Sequence, residues 1–284
     1  MNKKKIAWVT DSTAYITKEL AENEDVYTLP LGIIFGQDAY EDGVDLTTDI
    51  LYKRINSEKE VPKTSQPSVG KFAELYEKLK EEYDHAIAIH ISGKLSGTID
   101  SSTAGKNMAD FDVEVVDSRC MSYAITTLLY KGMELAENGT HPKEIAAKLR
   151  HEATKCENYI LLGNLNQFYK GGRMSGAQYL LGNMLQIKPI IRIDTTSGEF
   201  ELFERVRSEK KATKRLLELL GKSYEKHTVK EVQIMHGNVI DKAEELKEKI
   251  TEQFPDLSIV IGEISSTIAA HAGEGTVALI WHNE

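Results

Sequence analysis

The stretch AIAIHISGKLSGT, residues 86–98, carries the pattern that decides the fold. Its first six residues, Ala86–Ile91, form an apolar run of strand length that is interrupted only by His90. The polar, glycine-bearing segment Ser92–Thr98 follows and leads into a helix. A strand, a short loop and a helix in this order indicate one unit of an α/β sheet whose parallel strands are joined by right-handed helical crossovers.

The rest of the first half repeats this order. The other strand candidates are rich in Val or Ile and comprise Ile6–Thr10, Val26–Leu31 and Val113–Asp117. Ser68 is a candidate N-cap of a helix whose buried face carries Phe72, Leu75, Tyr76 and Leu79. A second helix is predicted near residues 121–138. Thr140 and Pro142 are the expected cap and first-turn residue of a third. The first half therefore predicts a parallel sheet.

The second half has a different order of elements. Ile160–Leu165 is strand-like, and Ile187–Ile193 and Phe200–Val206 flank the hairpin-turn composition Asp194–Gly198. Later strands are predicted at 232–235, 259–264 and 277–281, with helices near 209–226 and 239–253. This order favours a mixed or antiparallel sheet with helices on one face. We predict an N-terminal parallel-sheet α/β domain over residues 1–156 and a C-terminal α/β domain over residues 157–284.

Composition excludes several classes of function. The 284 residues carry a formal net charge of -9, which disfavours binding to nucleic-acid phosphates. The two cysteines form no CxxC pair, and no HExxH, GxGxxG or Walker A string occurs, so no metal, cofactor or nucleotide site is expected. The apolar run Ile6–Val9 is too short for a signal peptide or a membrane span, so we expect a cytoplasmic protein.

Three hydroxyl-rich segments lie in or beside the loops of the first half: Thr10–Thr13, Thr64–Ser68 and Ser92–Thr98. Ligands of open α/β sheets collect beyond the carboxyl ends of the strands, where helix N-termini offer unpaired N–H groups. Hydroxyls beside such amides suit an anionic oxygen ligand. The alternative is that these Ser and Thr residues only cap helices and form turns.

Ser96 and His271 suggest a second class of function. Ser96 follows a strand and precedes a helix, where a hydrolase places its nucleophile, but the local string GKLSG is not the GxSxG elbow. His271 stands in AHAGEG, where two glycines permit close approach of the backbone; a plain turn before the last strand is the alternative. His90 is interpreted as a satisfied core residue, and the remaining candidates are interpreted as surface or cap positions: His141, His151, His227 and His282.

Several strings together resemble one family, the DegV proteins, over essentially the whole chain. TSQPS (64–68) and LSGT (95–98) are the most specific of them. The others are TDST (10–13), VDSR (116–119), GGRMS (171–175), IKPI (187–190) and the glycine loop after His271. One departure is Glu274, which stands where the family commonly has proline between the glycines.

The resemblance implies a DegV-like two-domain fold, with a Rossmann-like N-terminal domain and a mixed C-terminal domain, and a non-catalytic protein. A long-chain fatty acid such as palmitate, stearate or oleate would lie in a buried tunnel near the domain interface. Thr64, Ser96 and His271 would contact its carboxylate, and the residues expected near the headgroup are Arg173, Ser65, Ser92 and Gly97.

The resemblance also implies a partner. Some members present the carboxylate to the ATP-binding subunit of a bacterial fatty-acid kinase, which feeds phospholipid synthesis from exogenous fatty acids. The alternative from another class is a serine hydrolase or acyltransferase that uses Ser96 and His271. The basic run between Arg205 and Arg215 is interpreted as a solvated helix face, with docking of a kinase or transient contact with an anionic membrane surface as the alternative.

Overall fold

The computed structural model describes residues 4–58, 61–173 and 188–284. The strands of the first half are β1 (Lys4–Asp11), β2 (Val26–Leu29), β3 (Gly32–Phe35), β4 (Asp38–Glu41), β5 (Lys63–Ser65), β6 (Tyr83–His90) and β7 (Val113–Asp117). Its helices are α1 (Lys18–Glu22), α2 (Thr48–Glu58), α3 (Val69–Glu82), α4 (Thr98–Ala109), α5 (Tyr123–Glu137) and α6 (Pro142–Glu152).

A short 3-10 turn, Ala153–Lys155, leads into the second half. The strands there are β8 (Cys156–Leu161), β9 (Lys188–Asp194), β10 (Glu199–Val206), β11 (Glu231–His236), β12 (Ser258–Glu263) and β13 (Val277–His282). The helices are α7 (Leu165–Lys170), α8 (Glu209–Lys226), α9 (Ile240–Gln253) and α10 (Ser266–Ala272).

The predicted parallel sheet is confirmed, with the strand order β2-β1-β6-β7 and every pairing parallel. Successive residues of a strand point to opposite faces. Ala7 and Val9 accordingly pack into an apolar cluster with helix α3, whereas Trp8 and Ile87 pack into a second cluster with helix α5. Both faces of the sheet are therefore covered by helices.

The second sheet is mixed, in the order β10-β9-β8-β13-β11-β12, and only β11 and β12 pair in parallel. One face packs against α8 and α9 through Ile234 and Leu279. The residues that alternate with these, such as Met235 and Ile280, belong to the cluster that also contains Trp8 of the parallel sheet. The second face of the mixed sheet is thus turned toward the first half of the chain.

The hairpin of β9 and β10 is fixed by both loops that leave the parallel sheet. The Ser92 hydroxyl donates to Gly198 O at 2.7 Å, and the Arg119 guanidinium donates to Thr196 O at 2.7 Å. Arg119 has φ 51°, a left-handed conformation that a non-glycine residue adopts only when its surroundings hold it there. These bonds lock the loops after β6 and β7 against the second sheet.

Three details of the sequence interpretation are wrong. Leu165 begins helix α7 rather than ending a strand, because the Asn164 side chain accepts from Gln167 N and starts the helix. The cap of α6 is His141, not Thr140, since its side chain accepts from Lys143 N. His282 is buried, with Nε2 on Glu152 O, rather than exposed. Ile187, the first residue of another predicted strand, lies outside the described residues.

The first hydroxyl-rich segment, Thr10–Thr13, forms hydrogen bonds within the protein. Asp11 is fully buried and accepts from Thr13 and from Ile91 N, and its carboxylate is 3.2 Å from His90 Nδ1. His90 Nε2 lies 3.0 Å from Ser102 Oγ. The expectation that His90 is a satisfied core residue is confirmed, and Asp11 and Thr13 of the TDST string hydrogen-bond within the core.

Candidate functional site

A cavity of about 180 Å³ lies between the loops of the parallel sheet and the inner face of the mixed sheet. Most of its wall is apolar. The mixed sheet contributes Ile160, Ile191, Ile193, Met235, Ala278 and Ile280, while Ile91, Leu95, Cys120 and Met121 come from the loops of the first half. An apolar wall of this kind suits a hydrocarbon ligand.

Polar groups collect on the part of the wall where β5, α7 and α10 meet. Thr64 lies in β5, which pairs with β3, and its Oγ1 is 2.8 Å from Nε2 of His271 in the last turn of α10. Arg173 donates to Gly171 O at 2.6 Å and reaches Thr64 Oγ1 at 3.4 Å. The structure therefore brings together three predicted residues that are up to 207 positions apart.

Two local contacts hold this arrangement. The Gln167 amide of α7 donates to the carbonyls of Ala269 and Ala270, which joins α7 to α10 just before His271. Gly171 ends α7 directly against the imidazole, where an added Cβ would lie 2.4 Å from His271 Nδ1. The space that the His271 ring needs therefore explains why the first residue of the GGR string, Gly171, is glycine.

Ser96 and Gly97 reach the same cavity from the loop before α4. Ser96 Oγ is 2.8 Å from Thr98 Oγ1, and Gly97 is the N-cap of α4. A Cβ on Gly97 would approach Gln66 Nε2 to 3.0 Å, so glycine lets the second and third hydroxyl segments touch. Gln66 also lines the cavity beside Thr64 and Ser65, although the TSQPS string predicts no site role for it.

The electrostatics of the cavity wall around Thr64, His271 and Arg173 favour an anion. Burial lowers the pKa of His271 to about 4, with a smaller contribution from the neighbouring Arg173 cation, so the imidazole is neutral at pH 7. Burial also lowers the pKa of Arg173, which nevertheless stays protonated. Within residues 4–58, 61–173 and 188–284, no carboxylate forms an ion pair with Arg173. A half-buried cation that no described carboxylate neutralises attracts a negatively charged group.

Ser92, which the resemblance places near the headgroup, makes its hydrogen bond to another part of the protein. Its hydroxyl is buried and donates to Gly198 O, and it does not line the cavity. Met174 and Ser175 of the GGRMS string lie outside the described residues.

The serine-hydrolase alternative is not favoured by the geometry. A nucleophilic serine needs a hydrogen-bonded base that is itself oriented by a third group. In the described part of the chain, Ser96 Oγ pairs with Thr98 and His271 Nε2 pairs with Thr64, and His271 Nδ1 has no partner at all.

Glu274 is held away from His271. Its carboxylate accepts from Asn238 Nδ2 at 2.6 Å and from Asn56 Nδ2 at 3.3 Å. The flanking Gly273 and Gly275 have φ values of 82° and 92° and let the loop pass close to Gly163. Glu274 therefore ties the glycine loop to α2 and to the turn after β11.

The described residues form neither a metal site nor a membrane-spanning helix. No group of three or more His, Cys, Asp or Glu side chains is placed to hold a metal ion. No described helix combines the length and apolar character that crossing a bilayer requires.

Comparison with known proteins gives consistent matches. The family model described as "Uncharacterised protein, DegV family" matches residues 5–284. A DegV domain-containing protein of Halalkalibacterium halodurans is 34% identical over 282 residues, covering 99% of each chain. The crystal structure of DegV from Bacillus subtilis, described as a fatty acid binding protein, superposes with a TM-score of 0.88 at 32% identity, again over 99% of each chain. A DegV family protein from Thermus thermophilus, described by its fatty acid binding, gives a TM-score of 0.91 at 28% identity over 99% of this chain and 100% of that one.

Proposed function

The chain belongs to the DegV family, and from that premise we propose that it binds one long-chain fatty acid. The acyl chain occupies the apolar cavity. Its carboxylate lies at the polar end, where it accepts hydrogen bonds from Thr64 and Ser96, beside His271 and Arg173.

The observation that carries this proposal is the polarity of the cavity. Ile191, Ile193 and Ile280 on the mixed sheet offer only hydrocarbon contacts. The polar and charged groups of the cavity wall are concentrated around Thr64 and Arg173. Only a ligand with one anionic end and a long apolar remainder complements both parts. Relatives of the same fold that are described as fatty acid binding proteins support the assignment.

The energetics are adequate for tight retention. Each buried methylene contributes roughly 0.8 kcal/mol, so a sixteen-carbon chain offers about 12 kcal/mol before the costs of binding. Most of the affinity then comes from the apolar chain, and the headgroup contacts fix its direction.

We further propose that this is a cytoplasmic, non-catalytic subunit that presents the carboxylate to the ATP-binding subunit of a fatty-acid kinase, for phospholipid synthesis. In that reaction a carboxylate oxygen attacks the γ-phosphorus of ATP, an acyl phosphate forms and ADP leaves. The hydroxyls of Thr64 and Ser96 support such a role because they orient the carboxylate by hydrogen bonds, beside the Arg173 cation that attracts it. Transient contact with a membrane surface would supply the lipid.

The test combines native mass spectrometry with activity-based labelling. Purified protein, delipidated and then incubated with palmitate and oleate, should show one added mass of a C14–C18 acid per chain. It should react with neither fluorophosphonates nor p-nitrophenyl esters. A spectrum with only unliganded protein would overturn fatty-acid binding, and rapid labelling at Ser96 would restore the hydrolase alternative. Acyl phosphate should form only when a kinase subunit and ATP are added, and its absence would remove the kinase role alone.

A further inference from the structure

A second cavity, of about 590 Å³, shares part of its wall with the first. It lies between the loop after β1, helix α1 and the segment that follows β12, and its rim carries the exposed residues Ala21 and Val44, so it opens to solvent. Ser122 and Ile264 line both cavities, which makes the two spaces direct neighbours. The apolar part of the second wall also comprises Ala14, Tyr15, Ile16, Leu20 and Val26.

The first cavity runs across the mixed sheet. Five successive strands contribute to its wall, from Phe200 on β10 to Met235 on β11. Neighbouring strands lie roughly 4.8 Å apart, so the cavity extends over about 19 Å in this direction. The polar groups adjoin α7, which packs on β10 through Phe168 and Phe200 with their ring centroids 5.1 Å apart. Met235 therefore stands at the apolar end of the cavity, away from α7.

At Met235 the wall between the two cavities is a single layer of side chains. Met235 pairs with Gly262 of β12, and an added Cβ on Gly262 would lie 2.8 Å from Met235 Cε and 2.6 Å from Tyr15 Cε2. Met235 lines the first cavity and Tyr15 lines the second. The two side chains thus meet over the glycine and separate the cavities.

The two sides of this wall differ in rigidity. Met235 is unbranched and adapts its shape easily. Tyr15 is fixed, because its ring stacks on Tyr123 with the centroids 5.6 Å apart and its carbonyl accepts from the Thr126 hydroxyl at 2.6 Å. The methyl end of a ligand can therefore push Met235 aside only as far as the Tyr15 ring, and further methylenes would overpack the site.

Resting on the proposed function, we propose that Tyr15 sets the upper limit of acyl-chain length by closing the first cavity against the second. Without the ring, Met235 can turn aside and the methyl end of a longer chain passes into the second cavity. Tyr15 does not line the first cavity, so its removal adds space only by joining the two.

The experiment presents delipidated protein with an equimolar mixture of saturated acids from C14 to C24, supplied from cyclodextrin, and identifies the bound acids by native mass spectrometry. Wild-type protein should hold C14–C18 acids and exclude C22 and C24. Tyr15→Ala should bind C22 and C24 at least about tenfold more than wild type does, the factor expected for two newly buried methylenes. Tyr15→Phe keeps the ring and should keep the wild-type profile.

A second substitution tests whether the added length enters the second cavity. Ala21→Trp fills that cavity from its exposed rim on α1, so Tyr15→Ala combined with Ala21→Trp should return to the wild-type profile. If Tyr15→Ala does not fold, Tyr15→Leu serves the same test, because the ring atoms over Gly262 are Cε2 and Cζ and leucine ends at Cδ.

An unchanged profile in Tyr15→Ala, a gain of long acids in Tyr15→Phe, or a gain that survives Ala21→Trp would overturn the assignment. Each of these results leaves palmitate bound and so does not touch the proposed function. Wild-type protein that binds none of the acids would instead reject fatty-acid binding itself, and the role of Tyr15 with it.

Discussion

The direction of the Thr64 hydroxyl follows from its two neighbours. With the imidazole proton on Nε2, His271 donates to Thr64 Oγ1, and Arg173 donates to the same oxygen. Both lone pairs are then used, and the hydroxyl proton is left for a ligand. The other tautomer would bury an N–H at Nδ1 without an acceptor, at a cost of about 1–3 kcal/mol. We therefore assign the Nε2–H tautomer and regard Thr64 as a hydrogen-bond donor aligned by its neighbours.

We expect Thr64→Val and Ser96→Ala each to weaken fatty-acid binding by about 1–2 kcal/mol, because each removes a hydrogen bond to a charged group. Titration calorimetry on delipidated protein measures this change. Ser92→Ala is the matched control, since Ser92 lies in the same loop as Ser96 but bonds Gly198 O. It should lower the free energy of unfolding and leave affinity unchanged. Equal affinities for all three variants would place the carboxylate elsewhere.

Burial of His271 and His282 makes stability depend on pH. Both have a pKa of about 4 in the folded protein, against about 6.5 when exposed. Between these values the unfolded chain binds more protons than the folded one, so stability is complete above pH 6.5 and is lost as the pH falls toward 4. At pH 5 each histidine costs roughly 2 kcal/mol. Urea unfolding of delipidated protein at pH 7.5 and pH 5 should show this loss, and His271→Gln should reduce it. An unchanged loss in that variant would contradict the burial of His271.

At the scale of elements, the two glycines after α7 offer a matched comparison. Gly171 has helical φ and ψ, but an added Cβ would meet the His271 ring, whereas Gly172 has φ 67° and open space around it. Gly171→Ala should displace His271 and weaken fatty-acid binding about tenfold or more. Gly172→Ala should cost about 1 kcal/mol of stability through its backbone, with a smaller effect on affinity. Binding and unfolding measurements on both variants separate the two effects, and equal losses of affinity would contradict the steric role of Gly171.

Long elements with clear periodicity could be predicted, whereas short ones could not. Helix α8 has the predicted bounds, and α3 begins after the predicted cap Ser68. The small sheet of β3, β4 and β5 was missed because strands of three or four residues show too little alternation. Helix α10 was missed for a similar reason: its seven residues are mostly small and are stabilised by Asp42, which accepts from the N–H groups of its first turn.

At the scale of the whole molecule, the sequence supplied site residues but not the cavity. Thr64, Ser96, Arg173 and His271 do line one cavity, as the resemblance implied, although their role in binding stays a prediction. The wall could not be predicted, because Ile160 and Ile191 have the alternation of any buried strand residue. The pairing of Asp11 with His90 was equally hidden, since 79 positions separate them in the chain. The domain boundary at 156/157 also stays a prediction; it lies one residue inside β8, which directly follows the 3-10 turn.

The chain carries one tryptophan in each sheet, which allows the effect of a ligand on both halves to be measured. Trp8 lies in β1 and Trp281 in β13, and both are buried. Because the cavity is lined by the mixed sheet and by the loops beside the parallel sheet, a bound fatty acid should stabilise contacts of both halves. At a free ligand concentration one hundred times Kd, the free energy of unfolding should rise by about 2.7 kcal/mol. Trp8→Phe and Trp281→Phe, each with one remaining reporter, should show the same upward shift of the unfolding transition when oleate is added. A shift seen only with Trp281 as reporter would mean that the ligand stabilises the mixed sheet alone and that the loops around Ser96 take no part in holding it.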